Sequence, residues 1–467
     1  MGQVRSVGAH AAVPAPYADQ PNRSPWIAQL APDGPPRPLE TDATTDVAIV
    51  GAGIAGVATA FFMLRDTDRR VLLIERDRVA SGATGRNAGQ LTTYFERPLS
   101  DIAEEFGADM AIDGQRAFDD AHDLLDLMAG DAGATARIDR FTGHMGMFSL
   151  NHLQVHLRNN VLRRRGGLRE EACVVSQDAE FLDQIPAEFA SFYTVVPQSR
   201  IREVLETDDD RYRAVLSDRK GCVNSGQLVQ QVLAYLERAY PDRLRYVDQT
   251  LVDRIVVDDG RVVVHARGHE AVASRVIMCT NGFVDHVVED QGGDPIRLHE
   301  DQRVTGTIGY MAAFAEERPR SPAAMSYIRN TTIGGDTPYV YVTRRTYDRS
   351  GGPVTLTAMG GPEYPHEGQW HADLPFPGQM LATMDESIRP FAQPARPPNR
   401  PYDFQWHGLM GYMNGGVRVV GAHLIHPALL YNLGCNGVGF LPSIFGGQRI
   451  ARVVAGDHLP PSIFDPR

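Results

Sequence analysis

The residues best placed to do chemistry are three glycines and an acid. Gly51, Gly53 and Gly56 follow the apolar run Val47-Ala48-Ile49-Val50, and Glu75 closes a second apolar run, Val71-Leu72-Leu73-Ile74. A short strand, a glycine turn, a helix continuing through Val57-Ala58-Thr59-Ala60-Phe61 and a second strand ending in an acid are what a dinucleotide pyrophosphate requires. Gly51 permits the tight turn, Gly53 lets the backbone approach phosphate, and Gly56 lets the helix pack on the strand. The free N–H groups and positive dipole end of the helix then face the phosphates. Glu75 stands where a carboxylate accepts both hydroxyls of the adenosine ribose. A glycine-rich turn that binds nothing is the alternative, and the complete order of strand, helix, strand and acid argues against it.

A second glycine turn, Gly434-Cys435-Asn436-Gly437-Val438-Gly439, lies near the end of the chain. It falls between an expected strand over 429–433 and an expected helix from about Pro442 to Val454. Such a turn aims N–H groups and a helix dipole at something electron-rich, such as the edge of a reduced flavin. A plain helix cap and tight turn explain it equally well.

Other elements must position these turns. Periodicity predicts helices over 101–130, 150–165 and 225–240, the last with Ser225 as N-cap. The run Arg163-Arg164-Arg165 reads as a solvated helix end. Strands are expected over 251–257 and 261–266, joined by the hairpin signal Asp258-Asp259-Gly260, and over 276–280, stopping at Asn281-Gly282. Residues 300–360 are rich in β-branched and aromatic types and suggest an antiparallel sheet. Residues 1–40 read as an extended arm that packs through Trp26 and Ile27, and the proline-dense 390–401 as a connection.

The chain has 467 residues and a formal net charge of −12. That balance disfavours nucleic acid and anionic membrane as partners. No apolar stretch is long enough to span a bilayer and no secretory leader is visible, so a cytoplasmic location is expected. Cys173, Cys222, Cys279 and Cys435 are too far apart in sequence to suggest a metal site or a disulfide framework. Lys220 is the only lysine.

Taken in order, the 46–56 fingerprint, Ser81-Gly82-Ala83-Thr84-Gly85-Arg86-Asn87-Ala88-Gly89-Gln90, Cys279-Thr280-Asn281-Gly282-Phe283, Trp406-His407-Gly408-Leu409-Met410-Gly411-Tyr412 and the Gly434 to Phe440 turn resemble the FAD-dependent D-amino-acid oxidase superfamily. The most similar branch is the gamma-glutamylputrescine oxidase and sarcosine/glycine oxidase-like group. The resemblance implies an α/β (α+β two-domain) fold, with a Rossmann-like FAD-binding domain and an inserted antiparallel-sheet substrate domain. The expected division is an arm over 1–44, an FAD domain over 45–99, 215–299 and 401–467, and a substrate domain over 100–214 and 300–400.

The resemblance implies that FAD is held by Gly51, Gly53, Ile54, Ala55, Gly56, Glu75 and Arg76. Ser81, Gly82, Ala83, Thr84, Arg86, Asn87, Ala88, Gly89 and Gln90 would run along the pyrophosphate and ribityl chain. Val252 would meet adenine through its backbone, with Thr280, Asn281 and Gly282 near the adenosine and pyrophosphate. Gly408, Gly437, Val438, Gly439 and Phe440 would face the ring. His407 and Tyr412 are the candidates beside the reacting carbon. Tyr339 and Tyr341 could form an aromatic wall for a cation.

Departures from the family pattern refine the expectation. No cysteine lies near Met410, so FAD should be noncovalent, although Cys435 is near the expected ring. The stretch 355–359 lacks the lysine that relatives place above the flavin. Leu441 stands where relatives carry a basic residue for the substrate carboxylate. Either Arg303, Arg344 or Arg345 takes that role, or the substrate is an amine without an α-carboxylate, which is the preferred expectation. The stretch Met413-Asn414-Gly415-Gly416-Val417-Arg418 replaces an Asp-x-x-Pro element. The expected activity is oxidation of a C–N bond by hydride transfer to flavin, with oxygen as acceptor giving imine and hydrogen peroxide. The alternatives are a dehydrogenase with a quinone or protein acceptor, and a tailoring enzyme or accessory subunit for a complex metabolite. No metal is expected.

Overall fold

The computed structural model describes residues 22–467 apart from 33, 259, 317, 330–338, 349–351, 367 and 389–401. Three sheets organise it. A six-stranded sheet runs in the order Val419–Ala422, Leu429–Leu433, Arg275–Met278, Val47–Val50, Val71–Ile74 and Leu244–Val247. Every pairing is parallel except the first. Its inner strands are mostly apolar because both faces are covered, with Asn432 a buried exception. On one face pack the helices Ile54–Asp66, Ser225–Ala239 and Phe440–Ala455. On the other lies a five-stranded sheet, Ala43–Thr44, His269–Ala273, Arg261–Ala266, Val252–Asp258 and Val287–Asp290. Its hairpin pairs Asp258 with Arg261; the turn residue 259 lies outside the described residues.

The third sheet has ten strands. Its centre is the antiparallel series Phe404–Met413, Val304–Ala315, Val354–Pro365, Tyr339–Tyr347 and Ala323–Ile328. The sheet is mixed rather than purely antiparallel, because Ala323–Ile328 runs parallel to Ile138–Met147. It also takes in Ala214–Val223 and Phe404–Met413, both expected on the FAD side. Conversely, the helices Leu99–Phe106 and Ala108–Asp131, expected in the substrate domain, bury Ile102, Phe118 and Leu125 in the core of the six-stranded sheet.

Several local expectations change. The helix expected over 101–130 breaks at Gly107, whose φ of 90° suits glycine. Asn224, not Ser225, caps Ser225–Ala239: its side chain accepts from Gln227 N at 2.9 Å. Ser225 instead donates to Thr84 O at 2.6 Å, tying the helix to the loop 81–90. Arg163 is 3% exposed and donates to Asp119 and to Arg169 O, so only its neighbours are solvated. The connection 390–401 and arm residues 1–21 lie outside the described residues.

Candidate active site

A cavity of about 530 Å³ opens beyond the carboxyl ends of the parallel strands and runs beneath the ten-stranded sheet. Its first part is built by glycines. Gly51 has a φ of 106°, and a side chain there would meet Cys279 O at 2.7 Å. A side chain at Gly56 would overlap Gly51 O, which is how the helix Ile54–Asp66 comes down onto its strand. Glu75 accepts from Ala52 N at 2.7 Å through one oxygen and from Asp77 N at 3.0 Å through the other. Each oxygen keeps a second lone pair for a hydroxyl. Thr84 Oγ accepts from Ile54 N at 2.9 Å at the helix start.

The strand Phe404–Met413 closes the cavity from above. It approaches so closely that side chains at Gly408 and Gly411 would strike Arg86 and Asn281. Gly408, Met410 and Tyr412 alternate into the cavity. His407 therefore points the other way, and it does not line the cavity. Its Nδ1 accepts from Trp370 Nε1 at 3.0 Å and its Nε2 donates to Leu374 O at 2.9 Å. Both ring nitrogens are used by the neutral form, and burial lowers its pKa. His407 fastens the wall and lies outside the cavity lining.

The far end is acidic and aromatic. Tyr94, Glu96, Tyr339, Tyr341, Glu363 and Tyr412 all line it. Tyr339 donates to Glu96 at 2.8 Å and Tyr412 donates to Glu363 at 3.0 Å. Burial, reinforced by Glu363, pushes the Glu96 carboxyl up to about 7, and burial raises Glu363 as well. The basic candidates for a substrate carboxylate are elsewhere. Arg303 is exposed, Arg344 pairs with Glu206, and Arg345 lies over the Trp26 ring at 4.7 Å. Lys220 sits behind Tyr94, its Nζ 5.5 Å from that ring centre, in a separate cavity of about 50 Å³.

Comparison with known proteins identifies the architecture. A family model described as FAD dependent oxidoreductase, DAO, matches residues 46–453. The chain belongs to this family. Over 73 residues it is 36% identical to the gamma-glutamylputrescine oxidoreductase of Escherichia coli K12, and over 74 residues 34% identical to the probable oxidoreductase OrdL of Haemophilus influenzae. Each match covers 16% of this chain and spans only 17% of the relative. Among solved structures, glycine oxidase from Geobacillus kaustophilus aligns with a TM-score of 0.62 at 16% identity, covering 91% of this chain and 97% of that one. L-proline dehydrogenase from P. horikoshii aligns at 0.67 and 12%, with the same coverage. At these identities the likeness concerns the fold.

The cavity fits the dinucleotide of an FAD-dependent oxidoreductase. Besides the glycine cradle, two buried guanidiniums face it with unmet donors. Nε and Nη1 of both Arg86 and Arg418 have no hydrogen-bond partner among the described residues. Burial lowers each to about 10, which still leaves both charged at neutral pH. Buried cations of this kind call for an anion. Arg86 lies against Trp370, 5.2 Å from its ring. Arg418 bonds Asn432 and Ser443 beside the start of Phe440–Ala455.

Most of the expected cofactor residues line this cavity; Gly56, Ser81, Gly89 and Gly282 stand behind the lining. Tyr412, Tyr339 and Tyr341 line it, while His407 and Arg303 do not. Sequence reasoning passed over Tyr94, Glu96, Glu363 and Arg418. A signal for the first two existed. Gln90, Thr92, Tyr94 and Glu96 all reach the cavity, the alternation of an extended chain leaving the glycine-rich loop. Glu363 and Arg418 carry no comparable local signal.

Proposed function

We propose that the chain oxidises the C–N bond of a small amine lacking an α-carboxylate, using noncovalent FAD and oxygen, and leaving an imine and hydrogen peroxide. One observation carries the substrate reading: among the described residues, the far end of the cavity presents two carboxylates and four tyrosines and no arginine. An ammonium group suits that end, and a substrate carboxylate would be repelled. The cavity's arginines serve other places: Arg76 lies 3.9 Å from the Phe283 ring centre, Arg86 on Trp370, and Arg418 by Ser443. The names of the relatives, a gamma-glutamylputrescine oxidoreductase, a glycine oxidase and an L-proline dehydrogenase, point to the same amine and amino-acid chemistry.

Gly51, Gly53 and the N–H groups starting the first helix would hold the pyrophosphate, Glu75 the ribose, and the backbone at Val252 the adenine. Arg86 and Arg418 would neutralise the phosphates or the electron-rich ring edge. Bound FAD would supply the two-electron acceptor for hydride from the amine carbon. The chain's own part is to orient the amine on Glu363 and the tyrosine hydroxyls, and to exclude water with their rings. Cys435 lines the cavity, but burial raises its pKa and holds it as thiol. That supports noncovalent binding.

A dehydrogenase with a quinone or protein acceptor is the second reading. Lys220, the only lysine, lies outside the main cavity, so any cation assisting oxygen must be an arginine or a protonated histidine. Purified protein should be yellow, and an amine added without oxygen should bleach it. Recovery with peroxide in air supports the oxidase; failure to recover in air supports the dehydrogenase. A colourless protein that takes up no added FAD overturns both.

A further inference from the structure

We infer that Glu96 is the group that takes the proton from the substrate ammonium, preparing the neutral amine for oxidation, while Glu363 supplies the anionic anchor. This rests on the amine reading above. The placement comes first. Glu96 leaves the cofactor loop on the extended chain that carries Gln90, Thr92 and Tyr94 into the cavity. A side-chain carbon built at Gly437 would lie 3.1 Å from Glu96 Oε1 and 2.9 Å from Tyr412 Oη. Glu96 therefore stands against the glycine turn expected to face the ring, at the junction of the cofactor and substrate ends. The two oxygens flank a position that only a glycine leaves free.

The surroundings divide the two acids. Glu96 is faced by Tyr94, Tyr339, Tyr341, Tyr412, Glu363 and, behind Tyr94, Lys220. Neutral phenols dominate this shell, and Tyr339 donates to Glu96 Oε1 at 2.8 Å. A second carboxylate nearby disfavours two simultaneous charges, so the pair is suited to hold one proton more than two isolated acids would. An arriving ammonium supplies that proton. The N–H bond breaks, its electron pair remains on nitrogen, and the proton moves to a Glu96 oxygen. The nitrogen lone pair is then free to form the C=N bond of an iminium as hydride leaves the adjacent carbon for the two-electron acceptor that bound FAD would supply, and loss of a second N–H proton gives the imine. Glu363 keeps its hydrogen bond from Tyr412 and balances the charge of the product iminium. A base whose pKa lies near the working pH is effective in both directions, taking the proton and later releasing it.

The test uses FAD-loaded wild type, Glu96→Gln and Glu96→Asp, with butylamine, norvaline and butyltrimethylammonium as probes. The quaternary cation has no proton to give, so its binding, read from the shift of the flavin bands, reports charge at the site without turnover. Wild-type affinity for it should rise at least fivefold between pH 6 and pH 8, and Glu96→Gln should lose that rise. Anaerobic bleaching by butylamine at pH 7.5 should slow about 10²- to 10⁴-fold in Glu96→Gln. The remaining rate should climb with pH towards the amine's own ionisation, near pH 10 as for a lysine-like ammonium. Glu96→Asp should recover part of the rate and the inflection near neutrality. An inflection retained in Glu96→Gln, with bleaching within threefold of wild type, overturns the assignment of Glu96 and leaves the amine reading standing. Tighter wild-type binding of norvaline than of butylamine, or no response to either amine, overturns the amine reading itself.

Discussion

At the scale of single residues, the site divides into parts fixed by local backbone and parts fixed by distant neighbours. Gly53 belongs to the first. A side chain there would sit 2.9 Å from Thr84 Oγ1, so Gly53→Val should fold but lose its yellow colour, seen as an absorbance ratio near that of free protein. Arg418 belongs to the second. Arg418→Met removes a buried cation with two unmet donors. It should weaken FAD binding about 10- to 100-fold, the usual scale for charged hydrogen bonds, while leaving the FAD-free protein at least as stable. Titration of FAD and thermal melts of the stripped protein check both halves. Glu96 adds a pH dependence. Its carboxyl is raised to about 7 by burial, so the folded state binds more protons than the unfolded one between about 4.5 and 7. That contribution is fully present below the unfolded value and is lost as pH rises through 7. Glu96→Gln should therefore melt higher than wild type at pH 8 and equal to it at pH 4.5. The gain is on the order of 1–2 kcal/mol once the cavity's access to water is allowed for. The glycine turns were legible in the sequence because their requirement is local. Glu363 and Arg418 were not, because each is defined by what the folded sheet brings opposite it.

At the scale of elements, the sequence revealed the strands and helices around the first turn but not which sheet each later strand would join. Ala214–Val223 shows no regular apolar alternation and Phe404–Met413 only a partial one, so pattern alone could not assign them to a sheet. The single helix expected over 101–130 failed at Gly107, a break whose need for positive φ appears only in the backbone. The arm shows the opposite case, for Trp26 was recognised as an anchor and proves to be a central one. It is fully buried, donates to Asn87 O at 2.6 Å, and meets Trp406 edge-on at 6.4 Å between ring centres. Ser24 reaches Gly85 O, and Asn22 receives His407 N–H at 2.9 Å. The arm thus clamps the loop 81–90 against the strand Phe404–Met413. Trp26→Ala should cost about 3–5 kcal/mol of stability. It should also raise the dissociation constant of FAD several-fold, since the loop loses its backing. A melt that drops with FAD affinity unchanged would show that the loop holds its shape without the arm.

At the scale of the molecule, the cavity is a shared product of two sheets. Its floor is the carboxyl edge of the six-stranded sheet and its roof is the ten-stranded one, so neither sheet alone encloses it. The two are also interleaved: Gln90–Leu91 leaves the cofactor loop to pair with Ala214–Val223, and the helix Ala108–Asp131 packs on Phe440–Ala455. The chain's three tryptophans, Trp26, Trp370 and Trp406, are all buried around this seam. Their fluorescence therefore reports the junction, while far-ultraviolet circular dichroism reports the whole backbone. Ligand that binds only the folded state stabilises it by mass action, about 2.7 kcal/mol at a hundredfold excess over the dissociation constant. If FAD needs both walls, that gain belongs to the joint structure. Adding FAD should then move the two thermal transitions upward together and by the same amount. Movement of the tryptophan transition alone would mean that the remainder of the fold melts independently of the cavity. Coincident movement would identify the closed cavity, rather than either sheet, as the cooperative unit on which cofactor binding acts.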